Sequence, residues 1–207
     1  MPKGLRKTGT TTVGLVCRDG IVLAAERKVT MGYLVAGKKA EKILQINEYI
    51  GMTIAGLVGD AQHLEKVVKA ELKLQELQEE RRVPIKAAAN LVANILYGRR
   101  YYPYYVQLIV GGFDSRPRLY SFDPSGSIQE EDEYFSSGSG SPMAFGVLEE
   151  QYKKGLSSEE GKKTAARSVR AAIQRDIASG GSGIDVVVID KNGFRRLPEK
   201  EVEEALK

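Results

Sequence analysis

The stretch KTGTTTVGLV, residues 7–16, sets three consecutive threonines directly behind a glycine and a short basic leader. Threonine favours strands, so the run reads as the first residues of a β-strand. It also reads as a masked reactive residue, with Thr10 exposed only when the Gly9–Thr10 bond is cut. Outward from there, TTTVGLVCRDGIVLAAERKVT (10–30) predicts two strands with an Asp19-Gly20 hairpin turn. KILQINEYIGMTIAGLVGD (42–60) predicts two more, separated near Asn47-Glu48.

A helix is expected over 60–82, with Ala61, Leu64, Val68 and Leu72 on one face and Asp60 as N-cap. Pro84 opens a second helix reaching Tyr97. YYVQLIVGGFD (104–114) and RPRLYSFD (116–123) are strands, and PSGS (124–127) is a turn. Ser141-Pro142 starts a third helix. Ser157-Ser158 with Glu159-Glu160 starts a fourth, running to about Ala178. GIDVVVID (183–190) is a strand, KNG a turn, and PEKEVEEALK (198–207) a short charged end, helical or frayed. Tight hairpins imply antiparallel pairing, and apolar-faced helices must cover the sheets. The expected class is α+β: a four-layer αββα sandwich of two mainly antiparallel sheets in one domain.

The 207 residues are 42% hydrophobic and 28% charged, as in globular chains, and no apolar run nears the roughly 18 residues that cross a bilayer. The leader MPKGLRKTG has no apolar core of a secretory signal. One cysteine, Cys17, precludes an intrachain disulfide, and the single His63 precludes a multi-histidine metal site; no cofactor or metal is expected. Both facts suit a reducing cytoplasm. The net charge of +4 owes Lys3, Arg6 and Lys7 to the leader, leaving 28 of the 31 basic side chains against 27 acidic ones. A nearly neutral body has no bulk attraction for phosphates, so neither nucleic acid nor membrane is an expected partner.

Several motifs carry less than they suggest. GLSSEEGKKT fails the phosphate-loop pattern, because Gly155 and Gly161 are one residue too far apart and Lys163 replaces Ser or Thr. YGRRYYPYY (97–105) could stack bases, or pack its aromatics against the core or another subunit. SSGSGSP (136–142) is an anion-binding nest or a flexible turn. His63 reads as a solvated residue, and Cys17 as a small core residue.

Thr10 offers chemistry of its own. A threonine hydroxyl needs a nearby base, and a freed N-terminal amine, titrating near ~7.7–8, supplies one. While Gly9 is attached that nitrogen is an amide, and the residue stays inactive.

TGTTTVG, AERKVTMG, TIAGLVGDAQ, VQLIVGGFD, GSGSP and QRDIASGG, in this order, resemble the β subunits of the archaeal 20S proteasome from Thr10 nearly to Lys207. The resemblance implies the fold of the N-terminal-nucleophile (Ntn) hydrolases. It also implies a leader, residues 1–9, removed by self-cleavage, and a mature domain, 10–207. Seven-membered β rings would be capped by α-subunit rings in an α7β7β7α7 barrel. Such a threonine endopeptidase degrades unfolded proteins delivered by an ATPase activator.

Carried over by residue, Thr10 is the nucleophile and, once freed, its amine the base. Lys42 is the lysine near the hydroxyl, and Glu26 its carboxylate partner. Asp176, Ser179 and Ser139 position the amine, and Gly56 offers the oxyanion N–H. Val29, Ala40, Leu44, Ile54 and Val58 wall a substrate pocket, implying cleavage after hydrophobic residues. The alternatives are a catalytically silent or partner-dependent ring subunit, an amidase acting on a small substrate, or a nucleic-acid module built on 97–105.

Overall fold

The computed structural model describes residues 9–207; of the expected leader, residues 1–8 lie outside the described part. The chain opens with β1 (Thr12–Cys17), β2 (Gly20–Glu26) and the short β3 (Val29–Met31) and β4 (Leu34–Gly37). β5 (Ile43–Asn47) and β6 (Ile50–Gly56) lead into α1 (Val58–Glu79) and α2 (Ile85–Gly98). β7 (Val106–Phe113), β8 (Pro117–Phe122), β9 (Ile128–Glu131) and β10 (Tyr134–Ser137) follow. Then come α3 (Ser141–Gln151), α4 (Ser158–Arg175), β11 (Ile184–Asp190), β12 (Gly193–Arg196) and α5 (Glu199–Ala205).

Two five-stranded sheets, in orders β10-β1-β2-β11-β12 and β5-β6-β7-β8-β9, pair antiparallel throughout, and β3-β4 forms a separate ribbon. Ile21, Leu23, Ile109, Leu119, Val187 and Ile189 fill the space between the sheets. Ala61, Leu64, Val68 and Leu72 seal α1 onto the second sheet, together with α2. Ala165, Ala166 and Val169 of α4 cover the first. The layers are therefore helix, sheet, sheet, helix, as the alternation of runs predicts.

Several local expectations change. Cys17 pairs with Gly20, so the hairpin turn is Arg18-Asp19, one residue early. Asp19 is drawn off to accept the Ser158 N–H at 2.7 Å and its hydroxyl at 2.9 Å at the start of α4. Asp60 does not cap α1, which begins at Val58; its Oδ2 instead accepts the Tyr105 N–H at 2.8 Å. Pro84 is itself the N-cap of α2. α4 ends at Arg175, short of the expected Ala178, leaving Asp176 as its half-buried C-cap. Val58 belongs to α1, not to the strand of Ile54. β9, β10 and β12 are too short and polar to declare themselves by period.

Candidate active site

Thr10 lies two residues ahead of β1, 4% exposed, with its bond to Gly9 intact. Its hydroxyl Oγ1 donates to the Gly9 carbonyl at 2.6 Å, so the hydroxyl and the preceding carbonyl are in contact. Gly9 fits for want of a side chain: a Cβ there would stand 1.7 Å from the Ala178 Cβ and 2.9 Å from the Ser139 Oγ. Its N–H donates to the Thr30 hydroxyl at 3.3 Å.

Lys42, just before β5, points back across the sandwich. Its Nζ donates to Thr10 Oγ1 at 3.2 Å, to the Lys28 carbonyl at 2.6 Å, and in a short ion pair to Glu26 Oε1. These three acceptors match the three donors of an ammonium. Burial lowers the Lys42 pKa from its ordinary 10.5, and the attraction of Glu26 opposes that shift. Glu26, the last residue of β2, is completely buried. Besides Lys42, its carboxylate accepts three backbone N–H groups, from Thr11 at 3.3 Å, Lys28 at 2.7 Å and Gly180 at 2.9 Å. A buried carboxylate survives only with such compensation.

A second network reaches the Thr10 nitrogen. The Thr10 N–H donates to Ser139 Oγ at 3.2 Å, and Ser139 donates to Asp176 Oδ2 at 2.6 Å. Ser179 donates to the same Oδ2 at 2.7 Å, and its oxygen lies 2.7 Å from Thr11 Oγ1. Asp176 thus reaches the nitrogen through Ser139, while Ser179 touches Thr11 rather than Thr10. Of the 136–142 segment, only residues 138–140 form a turn, between β10 and α3, and it packs on the chain just ahead of β1: the Gly140 N–H donates to the Thr10 carbonyl at 3.3 Å.

A cavity of about 350 Å³ opens beside Thr10. Val29, Ala40, Leu44, Ile54 and Val58 all line it, as does Gly56; Gln62 and Glu65 of α1 add a polar side that sequence patterning did not mark. Gly56 has φ +134°, a region closed to side chains, and a Cβ there would lie 2.1 Å from the Tyr105 carbonyl. Sequence reading also missed the Lys28 carbonyl, the Gly180 N–H and the Thr30 hydroxyl. The first two are backbone groups and leave no mark on residue identity. Cys17, in contrast, is buried against α4, with its thiol pushed up to about 12.

A two-sheet sandwich with a buried threonine, just ahead of its first strand, set against a lysine is the arrangement of a proteasome-type protein. The family model described as the proteasome subunit matches residues 6–189, and the chain belongs to that family. It is similar to the proteasome subunit beta of Methanosarcina mazei, 50% identical over 94% of this chain and 92% of the relative. That of Methanococcus aeolicus is 48% identical over 95% and 91%. Proteasome subunit beta 2 of Aeropyrum pernix is 47% identical over 91% and 85%. The chain is a β-type subunit of the 20S proteasome.

Proposed function

We propose that this subunit is a threonine endopeptidase that activates itself by cutting Gly9–Thr10. The observation carrying the proposal is Thr10 Oγ1, held 2.6 Å from the Gly9 carbonyl oxygen and 3.2 Å from the Lys42 ammonium at the mouth of an apolar-walled cavity.

Attack of Oγ1 on the Gly9 carbonyl carbon passes the acyl group from nitrogen to oxygen, and water then hydrolyses the ester. Residues 1–9 leave, and the Thr10 amine is freed. The positive charge of Lys42 favours the alkoxide form of Thr10; a charge ~4 Å away at an effective dielectric of ~20 is worth about 4 kcal/mol before desolvation. In the mature chain the new amine inherits the contact with Ser139. The Ser139 proton is committed to Asp176, so its oxygen accepts from the amine and leaves the nitrogen lone pair to take the Oγ1 proton. The amine becomes the base, Gly56 offers its N–H to the developing oxyanion, and Val29, Ala40, Leu44, Ile54 and Val58 receive an apolar side chain. Assembly with other β subunits and with α subunits into rings, and the supply of unfolded chains by an ATPase, complete the reading.

The test is the intact mass of the subunit purified after co-expression with a matching α subunit. Loss of residues 1–9, abolished by Thr10→Ala, supports self-activation. Full-length chains in assembled particles sink it and leave a silent or partner-dependent ring subunit.

A further inference from the structure

Lys42 sits in a stretch without regular structure, residues 38–42, yet its ammonium must be placed to within a fraction of an ångström. Its own sheet holds it only at the end, where the Ile54 N–H of β6 donates to the Lys42 carbonyl at 3.0 Å; further support comes from the other sheet. Arg196 ends β12, an edge strand of the first sheet, whereas β5 is an edge strand of the second. The Arg196 guanidinium crosses between them. Its Nη2 donates to the Ile43 carbonyl at 2.7 Å and forms a short ion pair with Glu41 Oε1. Arg196 therefore grips the residues on both sides of Lys42.

Its other nitrogen, Nη1, lies 3.4 Å from Asp185 Oδ1. Asp185 is 7% exposed and also binds Arg27 Nη2 at 2.9 Å and Nε at 3.2 Å. Arg27 follows Glu26 in sequence, and its carbonyl accepts the Ala40 N–H at 2.9 Å. One buried carboxylate thus joins the guanidinium clasping residues 41 and 43 to the residue beside the lysine's own counter-ion. The backbone supports the same seam, since the Phe194 N–H donates to the Glu48 carbonyl at 2.7 Å.

We infer that Arg196, through the Glu41–Ile43 clasp anchored on Asp185, is a positioning residue for the Lys42 ammonium. It touches no reacting atom. It fixes the segment from which Lys42 reaches Thr10, and so governs both self-cleavage and turnover. The inference rests on the proposed threonine chemistry. A guanidinium suits the place because two of its nitrogens reach the Ile43 carbonyl, Glu41 and Asp185 at once, whereas a lysine offers a single nitrogen on a flexible stem.

The experiment compares wild type, Arg196→Ala, Arg196→Lys and Arg195→Ala, each co-expressed with a matching α subunit. Arg195 is the adjacent cation on the same strand, half exposed, and its ion pair at 3.6 Å is with Glu201 on the opposite side. Self-cleavage is followed by intact mass over time, and kcat and KM are measured on a peptide with an apolar residue before the cut. A displaced catalytic group of this kind costs up to about a hundredfold in rate. Arg196→Ala is therefore expected to slow self-cleavage and lower kcat by about ten- to a hundredfold, with KM little changed.

Arg196→Lys is expected to recover part of that loss, and it covers the case in which the alanine chain fails to fold. Arg195→Ala is expected to match wild type. Wild-type rates in Arg196→Ala and Arg196→Lys overturn the inference, as do equal losses in Arg195→Ala, which would mark a general effect of charge. A wild type that never cuts Gly9–Thr10 removes the threonine reading itself, and the inference with it.

Discussion

Thr10 and Lys42 gain their meaning from what surrounds them, and the sequence discloses only part of that. A threonine run, a lysine and a glutamate are each commonplace. The order of motifs assigns them, and the three acceptors around the Lys42 Nζ explain why the lysine can be buried. Half of what positions them is backbone, which no pattern of side chains reveals. Gly9 is the instructive case: the sequence marks it as the residue before the expected cut, while the structure shows a crowded contact with Ala178. Gly9→Ala must push either residue 9 or the 178 backbone aside, moving the carbonyl from the Thr10 hydroxyl. Self-cleavage should slow by at least about tenfold, read as full-length mass persisting over time. A Gly9→Ala chain processed at the wild-type rate would show that the crowding is relieved at no cost.

Cys17 gives the residue scale a pH dependence. Its folded pKa stands near 12 against an ordinary 9.0, mainly through burial, with the charges of Asp19 and Glu160 adding to it. Between those values the folded chain keeps a proton that the unfolded chain has lost, so stability falls as pH rises from 9.0 and is untouched below it. Tyr134 and Tyr152 are raised to about 12 from 10.0 and add to the same loss only above 10. Urea midpoints at pH 8 and 9.8 should therefore diverge more for wild type than for Cys17→Ala. Parallel behaviour of the two chains would contradict the buried-thiol account.

At the scale of elements, periodicity and end signals decided what could be read. α4 declared itself through Ser157 and Glu160, and both arms of the capping box form: the Glu160 N–H donates to Ser157 Oγ at 3.3 Å, and Ser157 N–H donates to Glu160 Oε2 at 2.8 Å. α1 lacks any such cap: it starts at Val58, ahead of Asp60, whose carboxylate serves Tyr105 instead. β9 and β10, four residues each, gave no period to follow. Their place is set by pairing with β8 and β1, and β10 leads directly into the turn carrying Ser139. Ser157→Ala should cost about 1 kcal/mol. A lowered thermal midpoint with unchanged turnover per assembled particle is the expected pair of readings. A loss of kcat instead would mean that the α4 start communicates with Asp176 at its far end.

At the scale of the whole molecule, the spacing of the two sheets brings Lys42 from one to Thr10 on the other, and glycines allow that spacing. A Cβ at Gly14 would lie 2.8 Å from Leu119 Cδ1, and one at Gly111 would lie 2.7 Å from Ile21 Cγ2 and 3.3 Å from the same Leu119 Cδ1. A Cβ at Gly51 would instead meet Ile189 at 2.8 Å, along with Leu23 and Phe194. Each contact is with the end of a side chain in a close-packed layer, so each glycine-to-alanine change should cost about 1–3 kcal/mol by overpacking.

Their combinations separate local crowding from a general loosening of the sandwich. Leu119 can turn away from one new methyl group but not from two on either side. Gly14→Ala with Gly111→Ala should therefore exceed the sum of its parts by about 0.5 kcal/mol or more. Gly14→Ala with Gly51→Ala shares no contacting atom and should add to within about 0.5 kcal/mol. Urea unfolding of the isolated subunit measures wild type and the five variants. Strict additivity in both pairs would mean that the sheets slide apart as rigid bodies. The gap between Lys42 and Thr10 would then be set by the layer as a whole rather than by Leu119 and its neighbours.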